Sequence, residues 1–191
     1  METKQINVIM PTTLSYFKCR KVRSPEYGTW GSAGIDFFVP EDLRDGDLKT
    51  SPSLFSPWTS VEYDEKNLSI EKMSIRSGEG VVIPSGIKVC VPPRHALLFL
   101  NKSGIALKKG LVQGAQLIDE DYMGEVHLHL VNTSNYTIEI KAGEKIAQGV
   151  VIPIMHCGLN ECNSEEETFK SLRLTSDRAD GAFGSTGNGL Q

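Results

Sequence analysis

Alternation of apolar and polar residues recurs along this chain and is the feature that most limits its fold. In the clearest run, the apolar residues of 126–130 alternate with His127 and His129, and similar runs occupy 87–91 and 136–141. Because successive side chains of a strand point to opposite faces, this period of two predicts half-buried strands. Turn-forming residues separate the runs, so the pattern predicts an all-β sandwich, jelly roll or barrel.

The composition fits one folded domain and argues against several classes of protein. The chain has 191 residues, a formal net charge of −4 and four cysteines without a CxxC pair. This length favours one domain, or one domain with a sizeable insertion. The acidic balance argues against a nucleic-acid partner, and no apolar run approaches the ~18 residues that span a membrane. The absence of a secretory signal pattern and the unpaired thiols lead us to expect a cytoplasmic protein, or one in the host cytoplasm if it is viral.

Two stretches depart from the strand pattern. Residues 41–76 are rich in charge, Ser, Pro and aromatic residues, without a sustained period. We interpret them as an insertion into a β domain that covers 1–176. Residues 177–191 are Gly-rich, with Phe183 as the large apolar side chain before the end. Such a segment cannot bury itself, so we expect a flexible C-terminal arm.

The arm combines groups that suit a phosphate. Its Gly-Ser-Thr-Gly run offers unhindered backbone N–H groups and the hydroxyls of Ser185 and Thr186. Arg178 adds a planar cation that can bind a phosphate in a bidentate manner. Phe183 has nothing local to pack on, so a planar ligand or a neighbouring subunit is a candidate partner. For an isolated segment of this composition, the alternative is a disordered tail.

Four further segments mix glycines, acids and hydroxyls between the strands. Lys102-Ser103-Gly104 follows an apolar run and suits a phosphate cradle and an ordinary turn about equally well. Asp119 follows two apolar residues, where it could act as a general base or a metal-site acid, although acidic clusters are more commonly solvated turns. Asp36 and Gln148 each lie beside apolar residues and would be ligand contacts or polar strand positions.

Taken in order, the five segments resemble the motifs of the trimeric dUTPase (deoxyuridine triphosphate nucleotidohydrolase) family. They span nearly the whole chain, from Ala33 to Gly187. The matching segments are Ala33-Gly34-Ile35-Asp36, Lys102-Ser103-Gly104-Ile105-Ala106, Leu117–Glu125 with its Asp-x-x-Tyr-x-Gly core, Gly143-Glu144-Lys145-Ile146-Ala147-Gln148, and Arg178–Gly187.

This resemblance implies a jelly-roll-like β-barrel that forms a homotrimer. Active sites would lie between subunits, and the mobile C-terminal arm would close over the nucleotide in a neighbouring site. The implied reaction is hydrolysis of dUTP to dUMP and diphosphate, with Mg²⁺ on the triphosphate, which limits uracil in DNA and supplies dUMP. The expected partners are dUTP and the chain itself, with neither nucleic acid nor membrane.

The resemblance also implies roles for individual residues. Asp119 would orient and deprotonate the water that attacks the α-phosphorus, and Tyr122 would pack on the deoxyribose and exclude a 2′-hydroxyl. Asp36 would hold waters of the hydrated Mg²⁺. The remaining implied substrate contacts are the backbone of Gly114, Leu117 and Ile118 on the uracil edge, Phe183 with Gly184 over the uracil ring, and Lys102, Ser103, Gly104, Gln148, Arg178, Ser185 and Thr186 on the phosphates.

The chain departs from the family pattern at several positions, among them Asn101, where Pro is common. Lys102 stands where Arg is usual, and it keeps the charge without the bidentate fork. Gln116 stands where Gly is frequent, and Ala179 and Ala182 replace two glycines of the arm. Because the candidate catalytic residues are all present, we expect an active dUTP diphosphatase. Two alternatives remain: a dCTP deaminase-like enzyme of the same fold, and an interaction module that binds a protein partner through 41–76.

Overall fold

The computed structural model describes residues 12–44, 46–50, 60–66 and 68–169. Strands dominate these ranges, which confirms the prediction of an all-β protein. The strands are β1 (Ser15–Lys18), β2 (Glu26–Tyr27), β3 (Ile35–Phe38), β4 (Lys49–Thr50), β5 (Ser60–Tyr63), β6 (Ile70–Ile75), β7 (Gly80–Cys90), β8 (His95–Leu100), β9 (Leu111–Gln113), β10 (Leu117–Ile118), β11 (Glu125–Asn132), β12 (Ile138–Lys141) and β13 (Lys145–Pro153), and the helices are α1 (Ser103–Lys109) and α2 (Glu165–Phe169).

The strands form three antiparallel sheets. The first has the order β1-β7-β11-β9, with β4 also paired to β7. The second has the order β10-β8-β13-β3-β2, and the third has the order β12-β6-β5. Most neighbours in these sheets are distant in the sequence, so long-range pairing rather than local hairpins defines the fold.

The core forms from one face of each alternating strand. In β11, Val126, Leu128 and Leu130 are each at most 1% exposed. His127 and His129, on the opposite face, are half-buried. The period of two in 126–130 therefore identified both the strand and its buried face.

Packing against β13 determines how the strands of the second sheet align. The side chain of Leu97 packs against Gly149. A Cβ atom on Gly149 would lie only 2.8 Å from Cδ1 of Leu97. Phe37 and Phe99 pack edge-to-face below, with ring centroids 4.9 Å apart. This packing holds β13 between β3 and β8.

Described parts of the stretch 41–76, which we interpret as an insertion, contribute to the core. Leu43 is fully buried, and its carbonyl accepts a hydrogen bond of 2.7 Å from the backbone N–H of Ile70. In β6, Met73 and Ile75 are 1% and 0% exposed. The pairing of β6 with β5 shifts register beside Tyr63, which breaks strict alternation of the buried residues. That irregularity explains why the sequence pattern missed this strand.

The chain divides into two compact units, one ending at Met155 and the other beginning at His156. This division comes before the boundary expected at 176, which lies outside the described residues. In the described part of the second unit, 156–169, every side chain is exposed except that of Cys162, which is half-buried. No described helix is long and apolar enough to cross a membrane.

Shortening a core side chain of β6 tests its placement. We expect Met73→Ala to lower the free energy of unfolding by about 2–5 kcal/mol, because it deletes buried methylene groups and leaves a cavity. Val61→Ala, in the neighbouring β5, should cost clearly less because Val61 is only partly buried. Equilibrium unfolding in denaturant measures both, and equal losses would contradict a core position for β6.

Candidate active site

The first group of predicted site residues lies where β3, β13 and the end of β8 meet. Gln148 pairs with Asp36 on one side and with Leu100 on the other. Its side-chain amide Nε2 donates a hydrogen bond of 2.8 Å to the backbone carbonyl of Asn101. Gly34 leaves room for this amide, since a Cβ there would lie 2.7 Å from Oε1 of Gln148. The sheet register therefore places Asp36 and Gln148 beside the segment that leads into α1.

Asp36 is a buried carboxylate held between two lysines. It is 2% exposed. Its Oδ1 lies 2.8 Å from Nζ of Lys102, and its Oδ2 lies 2.7 Å from Nζ of Lys145. Burial raises the pKa of Asp36, but the hydrogen bonds and charges of the two lysines outweigh it and hold that pKa below its ordinary value. Sequence reasoning assigned no role to Lys145, although it stands in the fourth motif.

The expected role of Asp36 in holding magnesium waters stays a prediction. Both carboxylate oxygens already face an ammonium group at hydrogen-bond distance. Across 12–44, 46–50, 60–66 and 68–169, no cluster of three or more His, Cys, Asp or Glu side chains could hold a metal ion. A divalent cation next to Asp36 would also meet the repulsion of both lysines.

Ser103 begins α1 immediately beyond this group. Lys102 is its N-cap residue, so the backbone N–H groups of Ser103 and Gly104 lie in the first turn, where no intrahelical acceptor exists. Both residues are exposed. The helix ends at Gly110, whose left-handed φ of 66° lets its N–H bond to the carbonyl of Ala106. The Ser103 hydroxyl and two backbone donors thus face outward beside Lys102.

The second group of predicted residues lies on the segment between β9 and β10. Gly114 donates its N–H to the carbonyl of His129 at 2.8 Å, and Ala115 donates to Nδ1 of the same histidine at 3.2 Å. A Cβ on Gly114 would lie only 2.2 Å from that Nδ1. On the other side, Phe99 donates its N–H to the carbonyl of Gln116 at 2.7 Å. The segment predicted to contact uracil is therefore anchored from both sides.

His129 was not among the predicted site residues. Its half-buried position in the alternating pattern of β11 gave no functional signal. Only the pairing of β11 with β9 brings its ring under Gly114 and Ala115. The departure Gln116 bonds within the same turn, since its Nε2 lies 3.3 Å from the carbonyl of Gln113.

Asp119 and Tyr122 lie in the exposed turn that follows β10. The Tyr122 hydroxyl donates a hydrogen bond of 2.8 Å to the carbonyl of Glu125. The backbone N–H of Tyr122 donates to the carbonyl of Asp119 at 3.3 Å. Gly124 allows this ring position, since a Cβ there would lie 2.4 Å from the hydroxyl oxygen. Tyr122 remains 40% exposed. Its ring is thus oriented and accessible, and the Asp119 carboxylate is exposed rather than held against the core.

The start of β11, which supports Tyr122, is fixed by a charged network. Oε1 of Glu125 accepts hydrogen bonds from Nε of Arg20 at 2.8 Å and from the N–H of Gly86 at 2.7 Å. Arg20 also bonds to both carboxylate oxygens of Asp47, at 3.1 and 3.2 Å. The segment that contains Asp47 is thereby tied to the turn that carries the candidate catalytic residues.

One chain does not bring the two groups together. Ile118 pairs with Leu97, so Asp119 lies near the His95 end of β8, whereas Lys102 follows the opposite end. The part of β8 from Leu97 to Leu100 alone spans about 10 Å. The remaining predicted site residues, Arg178, Phe183, Gly184, Ser185 and Thr186, lie outside the described part of the chain.

Comparison with known proteins identifies the family. The model of the dUTPase family matches residues 67–187. The deoxyuridine 5'-triphosphate nucleotidohydrolase of Neisseria meningitidis serogroup B is 36% identical over 167 residues, covering 86% of this chain and 87% of that protein. The enzyme of the same name from Hydrogenobaculum sp. is 30% identical over 165 residues, covering 85% and 89%. This chain belongs to the dUTPase family.

Solved structures agree with this fold. The dUTPase of Staphylococcus bacteriophage 80alpha, solved with dUPNHPP, has a TM-score of 0.64 at 22% identity, covering 92% of this chain and 98% of that one. The native EIAV dUTPase has a TM-score of 0.55 at 22% identity, covering 80% and 98%. These likenesses confirm the expected jelly-roll-like fold of the dUTPase type.

A methyl group at Gly114 tests how tightly His129 holds the turn. We expect Gly114→Ala to lower the free energy of unfolding by about 1–3 kcal/mol, because the new Cβ would collide with the imidazole. Removing the ring in the double variant Gly114→Ala/His129→Ala should recover part of that loss. Gly31→Ala is the control, since its Cβ would meet nothing within 4 Å. Additive losses in the double variant, measured by thermal and denaturant unfolding, would contradict the contact.

Proposed function

We propose that this chain hydrolyses dUTP to dUMP and diphosphate, and so limits uracil in DNA and supplies dUMP. The observation that carries the proposal is the turn between β10 and β11, where a hydrogen bond to the Glu125 carbonyl orients the Tyr122 ring and Asp119 is exposed. The membership of this chain in the dUTPase family supports the same reaction. The names of the curated relatives favour this hydrolase over a deaminase of similar fold.

In the proposed reaction, the Asp119 carboxylate orients a water molecule and accepts its proton as the water oxygen bonds to the α-phosphorus. The bond from that phosphorus to the bridging oxygen breaks, and diphosphate leaves. Lys102 and the Ser103 hydroxyl stabilise the negative charge that develops on the leaving oxygen. Gln148, Gly104 and the arm residues Arg178, Ser185 and Thr186 complete the phosphate contacts.

Recognition of the nucleoside is assigned to the anchored turn. Backbone groups of Gly114, Leu117 and Ile118 would hydrogen-bond to the uracil edge, with Phe183 and Gly184 over the ring. Tyr122 would pack on the deoxyribose where a 2′-hydroxyl would otherwise lie. The hydrogen bond from the Tyr122 hydroxyl to the Glu125 carbonyl fixes the orientation of the ring.

The proposed site is completed by further copies of the chain in a homotrimer. The two residue groups lie at opposite ends of β8, so one chain cannot present both to the same phosphate. A second copy would supply the missing group. The exposure of nearly every described side chain from His156 onward also suits a segment that packs on a neighbour.

Magnesium is proposed to arrive with the triphosphate as part of the substrate. Mg²⁺ keeps most of its waters and binds proteins through few carboxylates, often together with substrate phosphates. The description of one solved dUTPase, from phage phi11 of S. aureus, names a structural Mg(II) ion; it has a TM-score of 0.59 at 21% identity, covering 81% of this chain and 99% of that one. A protein partner at 41–76 stays a prediction.

Replacing the candidate base tests the reaction. We expect Asp119→Asn to lower kcat by ~10²-fold or more, because the amide cannot accept the water proton. Binding of a non-hydrolysable dUTP analogue should change little, since the side chain keeps its shape. Diphosphate release and calorimetric titration measure these two quantities. A dUTP turnover close to that of the unchanged protein would exclude Asp119 as the base.

Selection against ribose tests the role of Tyr122. The unchanged protein should release diphosphate from dUTP far faster than from UTP, dCTP or dTTP. Tyr122→Ala should raise the ratio of kcat/KM for UTP to that for dUTP, because the space for a 2′-hydroxyl opens. Tyr122→Phe keeps the ring but loses the hydrogen bond to Glu125, so its selectivity should fall between that of the unchanged protein and that of Tyr122→Ala. Equal turnover of UTP and dUTP by the unchanged protein would contradict this role.

A further inference from the structure

Asn101 joins the two sheets that carry the candidate site residues. It follows β8, in the second sheet, and precedes Lys102. Its side-chain oxygen Oδ1 accepts a hydrogen bond of 2.7 Å from the backbone N–H of Gln113, the last residue of β9 in the first sheet. Its backbone carbonyl accepts the hydrogen bond of 2.8 Å from Nε2 of Gln148. One residue therefore bonds to a predicted phosphate contact and to the strand that leads into the turn at Gly114.

The N–H of Gln113 depends on the Asn101 side chain for an acceptor. Among the described strands, β9 pairs only with β11 and so lies at the edge of its sheet. The next N–H, that of Gly114, bonds to the carbonyl of His129 in β11. Because successive N–H groups of a strand point to opposite sides, that of Gln113 points to the free edge. Gln113 is only 7% exposed, and a buried N–H without an acceptor is costly.

The side-chain oxygen at position 101 is a particular property of this chain. A proline, which is common at this position in the family, would keep the carbonyl that bonds to Gln148. It would offer no side-chain acceptor to Gln113. Asn101 is itself exposed, so its side chain does not fill the core. Its contribution is the hydrogen bond that fixes where β9 ends relative to the end of β8.

The Asn101 bond holds the entry of the turn between β9 and β10. Gly114 and Ala115 bond to β11, and the carbonyl of Gln116 bonds to β8. These contacts hold the middle of the turn, while the bond from Gln113 holds the residue that begins it. Hydrogen bonds weaken steeply when their angle departs from the preferred geometry. A small shift at the entry would therefore reduce any recognition that the backbone of this turn provides.

Resting on the proposed function, we propose that Asn101 is a positioning residue for recognition of the base. Its side chain fixes the start of the turn that would contact the uracil edge, and it acts through that turn rather than on the nucleotide. The ligand class is a uracil nucleotide, as distinct from a cytosine nucleotide. Cytosine has a donor and an acceptor exchanged along the same edge, so only a turn held in place tells the two bases apart.

Selectivity between bases tests this role. We expect Asn101→Ala to lower the ratio of kcat/KM for dUTP to that for dCTP by roughly 5-fold or more, because the N–H of Gln113 loses its acceptor and the turn shifts. Asn101→Asp keeps Oδ1 as an acceptor and should keep most of the ratio. Its added negative charge acts on the same phosphates in both substrates and cancels in the ratio. An unchanged ratio in Asn101→Ala, or an equal fall in Asn101→Asp, would overturn the proposal.

Asn135→Ala is the matched control. It truncates another exposed asparagine, which lies in the turn between β11 and β12. Its ratio for dUTP over dCTP should equal that of the unchanged protein, and a fall as large as in Asn101→Ala would overturn the proposal. Circular dichroism should establish that all three variants are folded, as expected for changes at exposed positions.

Amide hydrogen exchange separates this inference from the proposed function. The Gln113 amide should exchange several-fold faster in Asn101→Ala than in the unchanged protein, and Asn101→Asp should restore its protection. This measurement needs no turnover. If the chain failed to hydrolyse dUTP, the proposed function would fail, and the preference for binding dUMP over dCMP would replace the kinetic ratio. Unchanged exchange in Asn101→Ala, or faster exchange without a loss of that preference, would overturn the positioning role.

Discussion

The antiparallel pairing of β13 between β3 and β8 is the constraint on which the candidate site depends. Its register places Gln148 opposite Asp36 and Leu100, and a slip of one residue would turn each of these side chains to the other face. Gly149 and the Phe37–Phe99 contact make that register specific, because they pack tightly beneath it. A site for a charged ligand is thus positioned by an apolar contact on the opposite side of the sheet.

The strand β8 also determines where the two groups of candidate site residues lie. One end continues into the lysine and serine that start α1, while the other pairs with the strand that leads to Asp119. A rigid strand keeps these two groups apart in every copy of the chain. Association of several copies is therefore part of the proposed mechanism. The ion pairs of Asp36 with Lys102 and Lys145 form within a single chain.

Much of the fold and half of the site were accessible without a structure. Alternation predicted β11 and its buried face because buried and half-buried residues alternate along the whole strand. It missed β6, where a register shift interrupts the pattern. The assignment of 41–76 to an insertion stays a prediction. Asp119 and Tyr122 were found through ordered motifs, whereas His129 and Lys145 acquire a role only through contacts with residues distant in the chain.

By itself, the sequence determined the all-β class, the family, and the residue types available for phosphate and water chemistry, since alternation and ordered motifs are local properties. The tertiary structure decided which of these groups meet. It placed both oxygens of Asp36 on lysines, and it separated Asp119 from Lys102 along β8. The physical reason is that burial, charge pairing and strand register arise between segments far apart in the chain, which no local pattern encodes.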